Sequence, residues 1–186
     1  MIIYKNLNIK KSHKESVIAI GNFDGVHLGH QKVLNQARLK AKKEKLKFGV
    51  ITFEPIPNMF FNKKIKYHRI NLIKQKIYYL KKIKLDFLII INFNKTFSNI
   101  CADNFIKKIL VEKLESRFIF VSQNFRFGKK REGSTSTLKK YEKKHFYRTI
   151  ITTPYQKNKS IISSSLIRKN IENGKVNIVQ KLLGRP

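Results

Sequence analysis

The stretch from Val17 to Leu34, VIAIGNFDGVHLGHQKVL, limits what this chain can fold into more than any other segment. An apolar run, Val17 to Ile20, meets a turn of Gly21, Asn22, Phe23, Asp24 and Gly25. Two histidines three apart, His27 and His30, then flank Gly29 ahead of an alternating apolar pattern. The order is strand, tight loop, helix. A strand that feeds a Gly-bearing turn leaves backbone N–H groups and the positive end of the helix directed into one crevice, where an anionic phosphate is stabilised. Imidazoles at spacing three lie close together there, and both can donate to phosphoryl oxygens.

Apolar, β-branched or aromatic runs predict strands near Val17–Gly21, Phe48–Phe53, Phe87–Ile91, Phe118–Val121 and Tyr147–Thr152. Between them lie helical patterns near Leu28–Glu44, Asn71–Lys82 and Asp103–Glu115. Near-continuously apolar strands alternating with amphipathic helices predict an α/β fold: a Rossmann-like parallel sheet with helices on both faces, its crevice at the carboxyl ends of the strands. The C-terminal third is less regular. Gly128 to Lys144 is polar and basic with a short helix from Ser136, and Ile161–Ile162 reads as a short strand. Ser163, Ser164 or Ser165 caps a helix running to about Asn173, with Gly174 as its stop, and a last helix, Val176 to Leu183, precedes Gly184-Arg185-Pro186.

A chain of 186 residues can bury one sizeable core, so 1–186 is expected to be a single domain. The longest apolar run falls far short of the roughly 20 residues of a membrane helix, and the N-terminus lacks the apolar centre of a signal peptide. A soluble, cytoplasmic protein without a membrane partner is expected. Cys101 is the only cysteine, which excludes an internal disulfide and a thiolate metal cluster. The remaining histidines, His13, His68 and His145, lack metal-ligand spacing, so no protein metal site is expected.

The formal net charge of +30 would ordinarily point to nucleic acid. Of the 41 basic residues, however, only 8 are arginine, and the lysines are scattered as pairs over many elements while isoleucine and asparagine abound. That is the mark of an A+T-rich coding sequence. Readers of nucleic acid favour arginine for its planar fork, so no specific nucleic-acid partner is expected. A positive field would still concentrate anionic small molecules.

The block GNFDGVHLGH, Gly21 to His30, resembles the ATP-binding signature of the bacterial FMN adenylyltransferase module. That module is the N-terminal half of bifunctional riboflavin kinase/FAD synthetase, within the HxGH nucleotidylyl transferase superfamily. Three further blocks follow in the family's order: TFEPIPNMFF (Thr52 to Phe61), NFRFGKKREG (Asn124 to Gly133) and ISSSLIR (Ile162 to Arg168). The likeness spans nearly the whole chain. It implies transfer of AMP from ATP to FMN, giving FAD and pyrophosphate, with Mg2+ held mainly by the ATP phosphates.

By this resemblance His27, His30, Ser164 and Arg168 form the catalytic set. Gly21, Asn22, Phe23, Asp24, Gly25, Gly29, Ser163 and Ser165 hold ATP, and Phe53, Pro55, Pro57, Asn124, Phe125 and Arg126 hold the flavin. The histidines would serve as hydrogen-bond donors to the reacting phosphate, since the attacking FMN phosphate is already an anion and needs no base. Asp24 either caps the helix or orients the loop through backbone N–H groups. Three positions depart from the family's pattern: Ile56 replaces the histidine of EPHP, Ser122 replaces the glycine before NFRFG, and Ser165 replaces threonine. The chain stops at LLGRP, where the bifunctional proteins continue into a kinase domain, so riboflavin phosphorylation is expected to be absent. Two alternatives stay open: another HxGH adenylyltransferase, such as one for pantetheine phosphate or nicotinamide mononucleotide, and a basic nucleic-acid-binding protein with a non-catalytic nucleotide shell.

Overall fold

Alternating burial along the strands decides the layering. Val17 and Ala19 pack into one apolar cluster and Ile18 and Ile20 into another, so the strand they share is covered on both faces. The computed structural model describes residues 1–62, 68–157 and 160–185. Pro186, the last residue of LLGRP, lies outside them.

The chain opens with β1 (Ile2–Tyr4) and β2 (Val17–Ile20), followed by α1 (Leu28–Glu44) and β3 (Phe48–Glu54). A short α2 (Pro57–Phe61), α3 (Ile73–Lys82) and β4 (Phe87–Asn92) come next. After α4 (Lys95–Ser98), the helix α5 (Ala102–Asn104) continues as a π-helix over Phe105–Lys113. The second half holds β5 (Phe118–Ser122), the ribbon of β6 (Arg126–Phe127) and β7 (Gly133–Ser134), α6 (Thr135–His145) and β8 (Arg148–Thr152). A hairpin of β9 (Gln156–Lys157) and β10 (Ser160–Ile161) leads to α7 (Ser164–Glu172) and α8 (Val176–Leu183).

Six strands form one parallel sheet in the order β1-β4-β3-β2-β5-β8. From the central β2 the chain runs out to β3 and β4 on one side and later to β5 and β8 on the other. The order therefore reverses beside β2, and a crevice opens outside the carboxyl ends of β2 and β5. On one face α1 buries Leu34, Ala37 and Ala41 and α3 buries Leu80. On the other lie the π-helix, through Phe105, Ile106, Ile109 and Leu110, and α6, through Leu138. A third apolar cluster joins α7 to α8.

The expected strands and helices stand where the pattern puts them, to within about two residues. Three features carry no signal in that pattern. β1 is a three-residue edge strand whose Ile2 and Ile3 remain exposed. The ribbons are two residues a side, too short for any period. Pro57 occupies the first position of α2, a short helix that the pattern does not announce, where its missing N–H costs nothing. Among the described residues no helix is long and apolar enough to cross a membrane.

Gly49 on β3 leaves room for the Phe87 ring of β4. A Cβ on Gly49 would stand 2.2 Å from the Phe87 ring. Gly49→Ala is expected to destabilise the fold by about 2 kcal/mol, the cost of forcing one methyl into a filled core. Chemical denaturation should show a lower midpoint at unchanged slope.

Candidate active site

The loop after β2 is tied down before it reaches the helix. Gly21 N–H donates to Ile51 C=O at 3.1 Å, and Thr52 Oγ1 donates to Asn22 C=O at 3.0 Å. Gly25 has a φ of 84°, a region open to glycine at little cost. His27 is the N-cap of α1, its Nδ1 accepting from the His30 N–H at 3.3 Å. The two imidazoles stack, with centroids 3.6 Å apart and planes at 20°. A Cβ on Gly29 would stand 3.1 Å from the His27 ring and 3.2 Å from the Ile162 carbonyl, so the small residue lets ring and backbone close in.

Asp24 does not cap the helix; it orients a neighbouring loop. Its Oδ1 accepts from the backbone N–H groups of Ile70 at 3.0 Å and Asn71 at 3.5 Å, and its Oδ2 takes Arg168 Nη1 at 2.9 Å. The Asp24 carbonyl accepts from Ser164 Oγ at 3.0 Å. Ser163 is the N-cap of α7, accepting from Leu166 N–H at 3.2 Å, whereas Ser165 is exposed. Arg168 lies in the second turn of α7 and also donates to His68 C=O at 3.3 Å. The serine-capped helix is thus latched to the histidine loop through Asp24.

Burial, helped by nearby positive charge, keeps the histidines neutral. Burial, followed by the nearby charges of Arg185 and Arg168, pushes the His27 pKa down to about 4. Burial, His27 and Lys76 hold His30 well below the ordinary histidine value. Since His27 Nδ1 accepts a hydrogen bond, the single proton of its neutral ring sits on Nε2. A neutral imidazole in this position is a hydrogen-bond donor and carries no net charge.

A cavity of about 560 Å3 opens beside this loop, within the size range of ligand sites. One wall holds Gly21, Asn22, Phe23, His30 and Ser164; the other holds Phe53, Pro57, Asn124, Phe125 and Arg126. Both groups of residues singled out in the sequence therefore meet in one space. Of the remaining sequence-predicted residues, His27, Asp24, Gly25, Gly29, Ser163 and Arg168 stand outside the lining and shape the loop and helix beside it, while Pro55 and Ser165 also stand outside it and are not brought to the site. Eight of the chain's 14 phenylalanines line the cavity, which gives it stacking surface for a flat aromatic ring. Ile56, where the pattern departs, is buried at the N-cap of α2 and is not part of the lining, while Ser122 stands at its rim.

Residues 9–166 match the family model for FAD synthetase. The chain belongs to the FAD synthetase family. It is 43% identical over 180 residues to the bifunctional riboflavin kinase/FMN adenylyltransferase of Buchnera aphidicola subsp. Schizaphis graminum, covering 96% of this chain and 58% of that protein. The Haemophilus influenzae protein of the same name is 37% identical over 169 residues, covering 91% of this chain and 55% of its own. The chain thus spans less than two thirds of the length of these relatives. A crystal structure described as a macrolide-efflux protein from Streptococcus pneumoniae aligns over all of this chain and 61% of its own, with a TM-score of 0.85 and 28% identity. The pantoate-beta-alanine ligase of Francisella tularensis, complexed with beta-gamma ATP and beta-alanine, shares the fold alone. Its TM-score is 0.59 at 16% identity, over 99% of this chain and 78% of that one.

Several site residues of this FAD synthetase family member escaped the sequence reading. Phe93 and Phe97 line the cavity from beyond β4, and Lys130 and Arg131 do so from the basic turn between β6 and β7. Lys76, on α3, is 1% exposed, and its Nζ has no hydrogen-bond partner among the described residues. Burial lowers its pKa, opposed by the charges of Asp24 and Glu54, while Glu54 itself pairs with Arg69. A lysine at a position of apolar spacing looks like any exposed lysine in the sequence, so only packing shows it.

The low pKa of His27 fixes a direction for stability. The unfolded chain titrates this group near 6.5, so as pH falls the unfolded state binds its proton first. Stability from neutral His27 is complete above that value and is lost as pH falls toward 4, on the order of 3 kcal/mol in all. His27→Gln should flatten this part of the acid limb in pH-dependent urea unfolding; an unchanged limb would place the proton elsewhere.

Proposed function

We propose that this chain transfers AMP from ATP to FMN, releasing pyrophosphate and FAD. The observation that carries this reading is the single cavity in which the histidine loop and the start of α7 face a phenylalanine-rich wall with Asn124. A nucleotide triphosphate suits the first side, where a glycine-bearing loop and the N-cap of α7 present N–H and hydroxyl groups. The flat isoalloxazine ring suits the second, with Asn124 and Arg126 for polar contacts.

An FMN phosphate oxygen attacks the α-phosphorus of ATP as the bond to the β-phosphate oxygen breaks, and pyrophosphate leaves opposite the new bond. No proton need be removed from the nucleophile, because the FMN phosphate is ionised at neutral pH. His30, in the cavity wall, donates to a phosphoryl oxygen as charge builds there. His27 holds His30 by stacking on it and by capping the helix that carries it. Arg168 keeps donors beyond those given to Asp24 and His68, and these serve the β- and γ-phosphates together with the Ser164 and Ser165 region. Among the described residues no three His, Cys, Asp or Glu side chains cluster, so Mg2+ entering with ATP would be held mainly by phosphate oxygens. Bound in that way it supplies charge neutralisation.

Purified protein incubated with ATP, Mg2+ and FMN should yield FAD and pyrophosphate, resolved by chromatography of the flavins. Absence of FAD across a range of Mg2+ concentrations would overturn the proposal. His30→Ala should lower kcat by roughly a hundredfold with little change in FMN binding, because the donor matters most in the transition state.

The two walls predict separable defects. Arg168→Ala should mainly raise the KM for ATP, and Asn124→Ala the KM for FMN, in steady-state kinetics with each substrate varied in turn. An Asn124→Ala enzyme with intact FMN affinity and impaired ATP use would reverse the assignment of the walls.

A further inference from the structure

The last helix ends on the active-site loop. Gly184, the C-cap of α8, has a φ of 72°, and a Cβ there would stand 2.5 Å from Leu28 Cδ2. Only glycine lets the chain turn so close to the first turn of α1. Immediately beyond, Arg185 lays its guanidinium against the loop. Its Nη1 donates to the carbonyls of Val26 at 3.2 Å and Leu183 at 3.4 Å, and its Nη2 to the carbonyl of Gly25 and to Asn71 Oδ1 at 3.1 Å. Its central carbon lies 3.6 Å from the centroid of the Tyr79 ring on α3. Gln31 reinforces the same point from α1, with Nε2 donating to Val26 C=O at 2.9 Å and Leu183 C=O at 3.0 Å.

The carbonyls held in this way belong to a strained stretch. Phe23 and Val26 have φ of 45° and 40°, left-handed values that a β-branched residue such as valine rarely adopts. Such backbone persists only where its surroundings over-determine it. The peptide unit is planar, so fixing the Val26 carbonyl also fixes the N–H of His27, the residue that caps α1 and stacks on His30. Its carbonyl and amide acceptors are uncharged, and its positive charge lies close enough to His27 to disfavour protonation of that ring. Arg185 is not among the residues lining the cavity.

We propose that Arg185 is a positioning residue for adenylyl transfer: acting through the Gly25 and Val26 carbonyls, it clamps the histidine loop in the conformation that receives the ATP phosphates. The C-terminal end of the chain thereby builds part of a nucleotide site whose other residues come from the first half and from α7. This role presupposes the adenylyl-transfer reading of the cavity. It requires arginine, because two nitrogens of a rigid fork serve four acceptors while the plane lies on an aromatic ring, which an ammonium cannot reproduce.

Arg185→Ala and Arg185→Lys in the full chain test the clamp by calorimetry with ATP and Mg2+ and, in separate runs, with FMN alone, and by NMR titration of His27. Arg185→Ala should weaken ATP about tenfold or more while FMN affinity stays within about twofold, and added guanidinium should restore part of the loss. The His27 pKa, pushed down by burial and then by Arg185 and Arg168, should rise when the Arg185 charge is removed. Arg185→Lys should return that pKa toward the wild-type value yet leave ATP weak, since charge is restored and the fork is not. Unchanged ATP affinity in Arg185→Ala would overturn the clamp. So would equal losses for ATP and FMN with a lowered melting temperature and no guanidinium rescue, the pattern of a general packing role. A wild-type protein that binds ATP but forms no FAD would refute the catalytic reading alone, with the calorimetric comparison still deciding the clamp.

Discussion

One buried carboxylate organises the site. Asp24, 3% exposed, joins three segments that are distant in the chain: its own loop after β2, the approach to α3 through the Ile70 and Asn71 N–H groups, and α7 through Arg168 and Ser164. The ion pair with Arg168 is well shielded, since the carboxylate side is 4% exposed and the guanidinium side 21%. In such a setting the loss of either partner strands the other charge, a penalty of about 3 to 5 kcal/mol, far above that of a surface pair. The same bonds that stabilise the fold thus fix where the serine-capped helix stands relative to the histidines.

The charge balance at this point has a chemical meaning. Arg168, Arg185, Arg69 and Lys76 surround two carboxylates, Asp24 and Glu54, and two neutral imidazoles. An excess of buried positive charge would be costly in an isolated fold. A surplus of this sign favours an anionic ligand in the neighbouring crevice. The overall charge of +30 is a separate matter, since it is spread over exposed lysines that make few pairs.

Much of this architecture was legible in the sequence, because the signals that set it are local. Val17 to Ile20 announces a strand buried on both faces, and His27 with Gly29 announces the start of α1; the structure places both within a residue. Ser163 could not be separated from its two neighbours as the cap, since three adjacent hydroxyls satisfy the same rule and only backbone geometry chooses. Asp24 left two roles open for a similar reason: its partners, Ile70 and Arg168, are 46 and 144 residues away. Phe93, Phe97 and Lys76 were invisible as site residues because their roles arise from how β4 and α3 pack. Long-range pairing is what a linear pattern leaves out.

The phenylalanine wall and the histidine loop border one continuous cavity, with no partition between them. Under the proposed adenylyl transfer both substrates would share this space, and a product joining their two parts would span it from wall to wall. Such a product would compete with each substrate in turn, so that its accumulation would slow its own synthesis through the same cavity.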